Sequence, residues 1–372
     1  MKKAVIILPT YNEKENLITL IPAIFGVAKK ISHWKIYLLI VDDSSPDHTD
    51  QLVKKMQDVY PHLYLIQGEK KGLGNAYFRG FKYVISHFDS HVLFEMDADW
   101  SHDPKYIPLF LKKIDEGDDF VVGARYIKGG SIPSDWGFHR KLFSILGNLI
   151  IKYGFMNRTI NDWTTGYRAI KTSYIKEAVN SMEMFNGYVF QVAFLDKAYK
   201  QGLAISEIPI HFKDRTKGTS KIHSIEYIVN TLWYVCTHSS FIRFVIVGST
   251  SFFVDFTIAF LLINQFKLPI LIGSSIISPL IALVYNFIFN NFWSFSHKKV
   301  SHSLFSYIKH FALFIAVSFG SVFIQYYALK FALRLLPHNR WYIYKALIII
   351  LLNVPYSYFM YNYVIWKKKT AL

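Results

Sequence analysis

The fold is decided by one short stretch, His91-Val92-Leu93-Phe94-Glu95-Met96-Asp97-Ala98-Asp99-Trp100. Its apolar part, Val92–Met96, predicts a buried strand, because a short apolar run bounded by polar residues is typical of one. Asp97 and Asp99 follow at positions i and i+2, which point to the same side of an extended chain. Two carboxylates at the end of a buried strand favour a hard divalent cation. An acidic loop that exposes its charges to water is the competing interpretation.

The chain around this stretch alternates apolar strands with helical segments as far as residue 123. The pattern predicts strands at Ala4–Leu8, Ile36–Val41, Leu63–Ile66, Val92–Met96 and Phe120–Val122, and helices at Glu15–Lys30, His48–Val59, Gly74–His87 and Lys105–Glu116. Such alternation indicates an α/β fold whose mostly parallel sheet is covered by helices on both faces.

Polar clusters follow four of the predicted strands. They are Pro9-Thr10-Tyr11-Asn12-Glu13, Val41-Asp42-Asp43-Ser44-Ser45-Pro46-Asp47, Asp97-Ala98-Asp99 and Gly123-Ala124-Arg125-Tyr126. Each cluster could be ordinary loop chemistry, with Asp47 for example capping a helix. Because open α/β sheets bind ligands beyond the carboxyl ends of their strands, the four together predict a ligand crevice at that edge.

Charge and hydrophobicity separate the two ends of the chain. Of 372 residues, 52% are hydrophobic and 18% are charged, with 42 basic and 26 acidic side chains. Residues 241–372 hold 12 of the basic side chains and a single acid, Asp255. A basic excess on an apolar segment that is almost free of acids indicates a membrane rather than nucleic acid.

The apolar third predicts a transmembrane region. Its four stretches, Phe241–Ile263, Leu268–Phe292, Phe305–Leu336 and Tyr342–Trp366, can each cross a hydrocarbon core that needs about 20 residues. The amphipathic stretch Ile222–His238 before them is typical of a helix that lies in the membrane interface. Lys298, Lys299 and the tail Lys367-Lys368-Lys369 predict that the middle loop and both ends are cytosolic. Asp255, inside the first span, predicts a contact with another helix or with a lipid path.

The remaining landmarks are less informative. The single cysteine, Cys236, excludes an internal disulfide bond, and the start Met1–Pro9 is interpreted as a first strand rather than a signal peptide. His102, His139 and His211 are interpreted as loop or headgroup histidines rather than metal ligands.

Several motifs in order carry a family resemblance over about the first 225 residues. Together these motifs resemble those of family-2 inverting glycosyltransferases. They are the four clusters above, Gly72-Leu73-Gly74, Ser101-His102-Asp103-Pro104 after the acidic pair, Asp162-Trp163-Thr164-Thr165-Gly166-Tyr167-Arg168 and the run Arg215-Thr216-Lys217-Gly218-Thr219-Ser220-Lys221. Within these the chain looks most like the dolichyl-phosphate mannose synthase group. Residues 241–372 resemble the GtrA-like four-helix domains, through Phe244–Gly248 and Asn290–Phe295.

The resemblance implies a GT-A fold and assigns roles to named residues. It implies Mg²⁺ or Mn²⁺ held by Asp97, Asp99 and Ser101, where Ser101 replaces a residue that is often Gln and is the weaker ligand. It implies a nucleotide-sugar site formed by Pro9, Tyr11, Glu13, Val41, Asp42, Asp97, Ala98, Asp99 and Lys221. It implies an acceptor-phosphate site formed by Arg125, Arg140, Ser144 and Arg215. Asp97, Asp99, Arg125 and Arg140 are the residues expected to act in catalysis.

The class of sugar acceptor is indicated by motifs that are absent from this sequence. A sugar hydroxyl would need a carboxylate base to take its proton, and the runs that supply that base in sugar-polymerising relatives are absent from this sequence. A lipid monophosphate is already ionised and needs cations that hold it, for which arginine is suited. We therefore expect a lipid monophosphate as the acceptor. The resemblance implies transfer of a sugar, first of all mannose from GDP-mannose, to a polyprenyl or dolichyl phosphate.

Two other functions remain open. One is a UDP-sugar enzyme that acts on undecaprenyl phosphate, because no residue here distinguishes guanine from uracil. The other is a lipid-sugar transporter or flippase whose first domain only senses a nucleotide. In each case the sequence predicts a catalytic or nucleotide-binding domain at 1–222 on the cytosolic face, an interfacial helix at 223–240 and a four-helix membrane domain at 241–372.

Overall fold

The computed structural model describes residues 1–157, 159–182, 189–214, 224–268, 277–296, 304–336 and 341–366. The chain divides into two compact units, Met1–Val235 and Cys236–Leu372. The predicted domain boundaries at residues 222 and 240 stay predictions.

The first unit is built on a seven-stranded sheet. Its strands are β1 (Lys2–Thr10), β2 (Trp34–Asp42), β3 (Leu63–Gln67), β4 (Val92–Glu95), β5 (Phe120–Ala124), β6 (Arg168–Lys171) and β7 (Ile205–Pro209). They lie in the order β3-β2-β1-β4-β6-β5-β7. All neighbours pair in parallel except β6, which is antiparallel to β4 and to β5. The prediction of a mostly parallel α/β sheet is confirmed.

Between and after these strands the structure describes eight α-helices, several of which pack against the sheet. They are α1 (Lys14–Ala28), α2 (Thr49–Gln57), α3 (Leu73–His87), α4 (Ile107–Asp115), α5 (Phe138–Gly154), α6 (Thr172–Met182), α7 (Val189–Gln201) and α8 (Ser224–His238), with a 3₁₀ turn at Pro104–Tyr106 before α4. The centre of β1, Ala4–Leu8, is fully buried. Burial of successive residues on a strand means that both faces of the sheet are covered, which explains the continuous apolar runs in the sequence.

The strand order places the predicted clusters at one edge. Thr10 pairs with Asp42 at the ends of β1 and β2, and the Met96 amide donates to the carbonyl of Ile7 beyond the end of β4. Because β6 is antiparallel to both its neighbours, Arg168 at its start pairs with Glu95 near the end of β4 and with Val122 in β5. The residues after β1, β2, β4 and β5 therefore share an edge, and the strand order reverses between β1 and β4, where such sheets bind ligands.

Helix α3 approaches the sheet closely at one glycine. A Cβ atom added to Gly80 would lie 2.9 Å from Cγ2 of Ile7 and 3.2 Å from Cγ2 of Val41. A methyl group there would overlap the side chains of β1 and β2. The exposed Gly26 in α1 has no such neighbour, since nothing lies within 4 Å of its added Cβ.

The described residues of the second unit are mostly helical. Its α-helices are α9 (Ser240–Asn264), α10 (Ser278–Phe289), α11 (Leu304–Leu335), α12 (Trp341–Ile348) and α13 (Val354–Met360). Short π-helical segments at Asn290–Ser294, Ile349–Asn353 and Tyr361–Ile365 continue some of them.

One helix of the described segments, Ser240–Leu262, is long and apolar enough to cross a membrane, and Tyr307–Ser321 is a shorter apolar helix. The second predicted span includes residues 269–276, which lie outside the described part of the chain. The four-span arrangement therefore stays a prediction.

We expect Gly80→Ala to lower the melting temperature and Gly26→Ala to raise it slightly. Alanine is favoured over glycine inside a helix by about 1 kcal/mol at both positions, but overpacking at Gly80 costs about 1–3 kcal/mol. Thermal unfolding of the full-length protein in detergent, followed by circular dichroism, measures both shifts. A higher melting temperature for both variants would contradict the close approach of α3 to the sheet.

Candidate active site

The two carboxylates lie on the loop that follows β4. Asp97 and Asp99 are partly exposed, whereas Ala98 between them is buried. Trp100 turns the chain with a left-handed backbone, at φ 69°, and its indole N–H donates to Oγ1 of Thr19 over 3.0 Å. Positive φ at a bulky residue is uncommon and persists where the surroundings enforce it. The loop thus holds a fixed turn with both carboxylates accessible.

A buried histidine fixes the start of this loop. The backbone N–H of Asp97 donates to Nδ1 of His102 over 2.9 Å, so the ring proton sits on Nε2. The imidazole is 1% exposed and stacks on Tyr167 at a centroid distance of 4.9 Å. Burial lowers the pKa of His102 to about 3, which keeps the ring neutral and available as an acceptor. His102 therefore orders the carboxylate loop through the backbone.

The donor atoms on the loop suit a hard cation. Ser101 is buried, and its Oγ has no hydrogen-bond partner among the residues that the structure describes. Its backbone N–H donates to Oδ1 of Asp99 over 3.1 Å. Carboxylate and hydroxyl oxygens are the ligands that Mg²⁺ and Mn²⁺ accept. These residues therefore fit a divalent cation.

The protein alone would not complete the cation's shell within the described segments. No group of three or more His, Cys, Asp or Glu side chains there is placed to hold a metal. Mg²⁺ sites commonly use one or two carboxylates, with water and substrate phosphates as the other ligands. A site of this kind depends on the substrate for part of its coordination.

A buried ion pair lies beneath the loop. Glu95, the last residue of β4, and Arg168, the first of β6, are both fully buried, with Oε2 and Nη1 3.7 Å apart. Arg168 also donates to the carbonyl of Gln191 over 2.7 Å and to that of Trp163 over 3.1 Å. Burial raises the pKa of Glu95 to about 7, against the pull of Arg168. The pair ties the end of β4 to the segment that precedes β6.

The ends of β1 and β2 form the predicted nucleotide side of the edge. Asp42 is fully buried and accepts from Oγ1 of Thr10 over 3.1 Å and from the backbone N–H of Ser45 over 3.0 Å. Tyr11 has Nζ of Lys70 3.6 Å from its ring centroid. The carboxylate of Glu13 accepts from Nδ2 of Asn16 over 2.7 Å.

Two further residues predicted for the nucleotide site, Pro9 and Val41, lie opposite each other on β1 and β2. The side chain of Val41 is fully buried. Beside them Asp43 pairs with Arg79, and burial raises the pKa of Asp43 despite that cation. The structure thus brings together the predicted nucleotide residues of β1 and β2, and their roles stay predictions.

Arg125, just after β5, is held by a buried carboxylate. Its Nε and Nη2 donate to the two oxygens of Asp162, each over 2.8 Å, and Nη2 also donates to Oγ1 of Thr164 over 2.8 Å. Arg125 is 8% exposed and Asp162 is fully buried. The backbone N–H of Asp162 in turn donates to Glu207 over 2.8 Å. This bidentate pair sets the guanidinium in one orientation.

Arg140, on α5, is more exposed than Arg125. Its guanidinium donates to both oxygens of Asp214, over 2.7 and 3.0 Å, and lies 3.9 Å from the ring of Trp136. The arginine side chain is half-exposed, at 50%. Ser144, one turn further along α5, is hydrogen-bonded to the hydroxyl of Tyr126. A ligand can therefore reach Arg140 by competing with Asp214.

Aromatic contacts connect the carboxylate loop with the two arginines. Phe212 meets the ring of His102 edge-on at 5.9 Å and that of Trp136 at 5.7 Å. The guanidinium of Arg125 lies 5.4 Å from the Phe212 ring. The electrostatic environment of His102 includes Asp99, Arg125 and Asp162. The structure thus places the Asp97–Asp99 loop and Arg125 in one continuous site.

Two predicted site residues cannot be placed, and three residues have contacts in the site that the sequence did not indicate. Arg215 and Lys221 lie outside the described residues. Sequence reasoning did not identify the roles of His102, Asp162 and Asp214. For His102 and Asp162 the sequence signal was their position inside recognisable motifs, and Asp214 directly precedes the Arg215–Lys221 run. Pairing across 37 residues, as for Asp162 and Arg125, leaves no local pattern.

Comparison with protein-family models finds two matches. Residues 5–182 match glycosyl transferase family 2, and residues 243–366 match the GtrA/DPMS transmembrane domain. The two matches fall on the strand-helix region and on the apolar helical region respectively.

Two relatives extend this result. The chain is 34% identical over 225 residues to the polyprenol monophosphomannose synthase of Mycolicibacterium smegmatis, covering 59% of this chain and 81% of that protein. It is 29% identical over 374 residues to the dolichol-phosphate mannosyltransferase of Pyrococcus furiosus, covering 98% of this chain and 99% of that protein.

A solved structure is also similar, at a lower level. Glucosyl-3-phosphoglycerate synthase of Mycobacterium tuberculosis, determined with Mn²⁺ and UDP-glucose, has a TM-score of 0.46 at 15% identity, covering 63% of this chain and 79% of that one. The sequence relatives and family models carry the assignment. The chain is a glycosyltransferase that belongs to family 2 and carries a membrane-associated GtrA/DPMS domain after its catalytic region.

Proposed function

We propose that this enzyme transfers mannose from GDP-mannose to a polyprenyl phosphate such as dolichyl phosphate, with inversion at the anomeric carbon. The observation that carries the proposal is the shared site in which the Asp97–Asp99 loop lies beside Arg125, the arginine held by Asp162. Carboxylates on one side and a fixed guanidinium on the other suit a donor diphosphate and an anionic acceptor. The names of the two relatives, a polyprenol monophosphomannose synthase and a dolichol-phosphate mannosyltransferase, support mannose as the sugar and a polyprenyl phosphate as the acceptor.

Asp97, Asp99 and Ser101 would hold Mg²⁺ or Mn²⁺ together with the donor diphosphate. When bound, such a cation supplies the positive charge that stabilises the leaving diphosphate. His102 contributes by keeping the backbone at Asp97 in place, and the Trp100 turn by keeping Asp99 accessible. Pro9, Tyr11, Glu13, Val41, Asp42 and Ala98 would contact the nucleoside, and Lys221 the diphosphate.

Arg125, Arg140, Ser144 and Arg215 would hold the acceptor phosphate. Asp162 fixes Arg125, whereas Arg140 can exchange the exposed carboxylate of Asp214 for the incoming phosphate. A phosphate oxygen then attacks the anomeric carbon as the bond to the diphosphate breaks, from the opposite side. The acceptor is already an anion, so no carboxylate base is needed, in keeping with the engagement of Asp162 by Arg125.

The exposed apolar surface of the first unit supports its binding to a membrane surface. Five apolar side chains of α5 are 38–44% exposed: Leu142, Ile145, Leu146, Leu149 and Ile150. Trp233 on α8 is 71% exposed, while Tyr234 beside it anchors α8 by donating to Asp196 over 2.9 Å. Exposed apolar residues with interspersed cations and tryptophan are typical of helices in the membrane interface.

The proposed location is the cytosolic face of a multi-pass membrane protein. It is supported by the basic residues of the middle loop and tail in the sequence, and by the GtrA/DPMS match. A nucleotide sugar is a cytosolic substrate in this arrangement, and the lipid phosphate reaches the site from the bilayer.

A substrate panel tests the proposed reaction. Purified full-length protein in detergent, with Mg²⁺ or Mn²⁺, receives labelled GDP-mannose, GDP-glucose, UDP-glucose or UDP-galactose, each with dolichyl or undecaprenyl phosphate. We expect labelled lipid from GDP-mannose. We also expect a loss of at least about 100-fold in rate for Asp99→Asn, because this variant lacks a carboxylate that would hold the cation stabilising the leaving diphosphate. The exposed Asp58→Asn makes the same chemical change far from the predicted site residues in the chain and should leave the rate unchanged.

Other outcomes of the panel would overturn the proposal. Transfer from a UDP-sugar alone would favour the undecaprenyl-phosphate enzyme. Absence of any transfer to any lipid phosphate, with lipid movement intact, would favour a transporter. An Asp99→Asn variant as active as the parent would remove the metal site from the mechanism.

Arg140→Ala tests the acceptor site separately. We expect KM for the lipid phosphate to rise about 10-fold or more, because a charge-assisted contact to phosphate is lost, while the Kd for GDP stays the same. Lys141→Ala removes one positive charge from the neighbouring position of the same helix and serves as the matched control. Equal weakening of lipid and nucleotide binding in Arg140→Ala, or the same effect in Lys141→Ala, would contradict the assignment.

A further inference from the structure

The hydroxyl of Thr164 lies between Arg125 and helix α5, and no role in the proposed reaction has been given to it. Its Oγ1 accepts from Nη2 of Arg125 over 2.8 Å and from Nδ2 of Asn148, on α5, over 3.0 Å. The residue is partly exposed. These contacts place the hydroxyl beside both elements to which the acceptor phosphate is assigned.

The direction of both hydrogen bonds is fixed by their surroundings. A guanidinium group only donates. Oδ1 of Asn148 accepts from the backbone N–H of Trp163 over 2.8 Å, so the atom that faces Thr164 is the NH₂ group, which donates. Asn148 is buried and donates also to the carbonyl of Ser144 over 3.0 Å. Both partners of the Thr164 hydroxyl are therefore donors.

A hydroxyl group that accepts twice still has its own hydrogen to donate. Threonine Oγ1 has two lone pairs and one hydrogen. Arg125 and Asn148 occupy the two lone pairs, and no acceptor for the hydrogen lies among the residues that the structure describes. Because Thr164 is only partly buried, this hydrogen is available to a ligand beside Arg125.

A second hydroxyl pair near Arg125 also retains a hydrogen. Tyr126 and Ser144 share one hydrogen bond through their hydroxyl groups, which uses one of their two hydrogens. The ring of Tyr126 lies 5.1 Å from the guanidinium of Arg125. Two hydroxyl hydrogens that lack an acceptor in the described part of the chain therefore lie near one fixed guanidinium.

This surplus of donors selects the class of ligand. Arg125 would repel a cation. A sugar hydroxyl could accept one hydrogen bond, but it brings a further hydrogen that needs its own acceptor. An ionised phosphate monoester has three terminal oxygens that only accept, and hydrogen bonds to an ionised acceptor are about twice as strong as neutral ones. The arrangement therefore favours a phosphate group.

We infer that the Thr164 hydroxyl donates a hydrogen bond to the acceptor phosphate, alongside Arg125 and Ser144. The inference rests on the proposed function, which brings a polyprenyl phosphate to this site. Asn148 is then a positioning residue, because its NH₂ group occupies a lone pair of Thr164 Oγ1 and leaves the hydroxyl hydrogen for the ligand.

The affinity for farnesyl phosphate, an isoprenoid monophosphate, tests this contact. Titration calorimetry on the full-length protein in detergent gives its Kd for the parent, Thr164→Val and Thr164→Ser. Valine keeps the shape of threonine without the hydroxyl, so we expect its Kd to rise about 10-fold, as for the loss of a hydrogen bond to a charged group. Serine retains the hydroxyl and should restore most of the affinity. The Kd for GDP should be the same in all three proteins.

Farnesyl phosphorothioate separates a direct contact from a purely structural role. Its sulfur replaces one terminal oxygen and is a poor hydrogen-bond acceptor. Thr164→Val should therefore weaken the binding of this ligand less than it weakens the binding of farnesyl phosphate. Equal weakening of both ligands would mean that Thr164 acts only through Arg125, and it would overturn the inference.

Thr159→Val is the matched control, because Thr159 is an exposed threonine five residues earlier in the same segment. Its Kd for farnesyl phosphate should match that of the parent. A Kd for Thr164→Val equal to that of the parent would overturn the inference, and sugar transfer by the parent would leave the proposed function standing. A parent that binds farnesyl phosphate through Thr164 but transfers no sugar to any lipid phosphate would refute the proposed function alone.

Discussion

The hydrogen bond from the Asp97 backbone N–H to the imidazole of His102 is the contact on which the site depends. The residue that accepts this bond is buried, neutral and stacked on Tyr167, so its position is set by the core rather than by solvent. It fixes where the chain leaves β4 and therefore where two carboxylates face the crevice. The Glu95–Arg168 pair below holds the same end of β4 against the segment that carries Asp162. The Asp97–Asp99 loop and Arg125 are thus braced by one set of buried contacts.

The two arginines assigned to the acceptor differ in how they are held. Arg125 is locked by a fully buried Asp162, so leaving that contact would strand a carboxylate without its partner, which is expensive in a protein interior. Arg140 pairs with Asp214 at the surface, where such pairs contribute little and exchange readily. This difference favours a division of roles. Under the proposed function, Arg125 would be preorganised before the lipid arrives, and Arg140 would be recruited when phosphate displaces Asp214.

Much of the fold was predictable because its strands are buried on both faces. Continuous apolar runs such as Ile36–Val41 and Val92–Met96 are strong signals, and the ends of all five predicted strands are confirmed to within two residues. β6 and β7 were missed, since Arg168–Lys171 is four residues long with a charge at each end, and Ile205–Pro209 ends in proline. Neither strand shows a period that a sequence pattern can detect, and β6 forms only through pairing with β4 and β5.

The site was predictable where chemistry follows a strand and not where it depends on distant pairing. The Asp97–Asp99 pair and Arg125 could be recognised at strand ends, but the partner of Arg125 lies 37 residues away and that of Arg140 lies 74 away. His102 was interpreted as a loop histidine, because the packing of its ring against the Asp97 amide depends on tertiary contacts that leave no sequence pattern.

Under the proposed function, the loop after β4 would hold the donor diphosphate while Arg125 faces the acceptor phosphate. The most direct measurement is a cryo-EM structure of the full-length protein with Mn²⁺, GDP and a polyprenyl phosphate. We expect diphosphate density at Asp97 and Asp99, with the lipid phosphate contacting Arg125. Nucleotide bound elsewhere, or a lipid phosphate distant from Arg125 and Arg140, would contradict it.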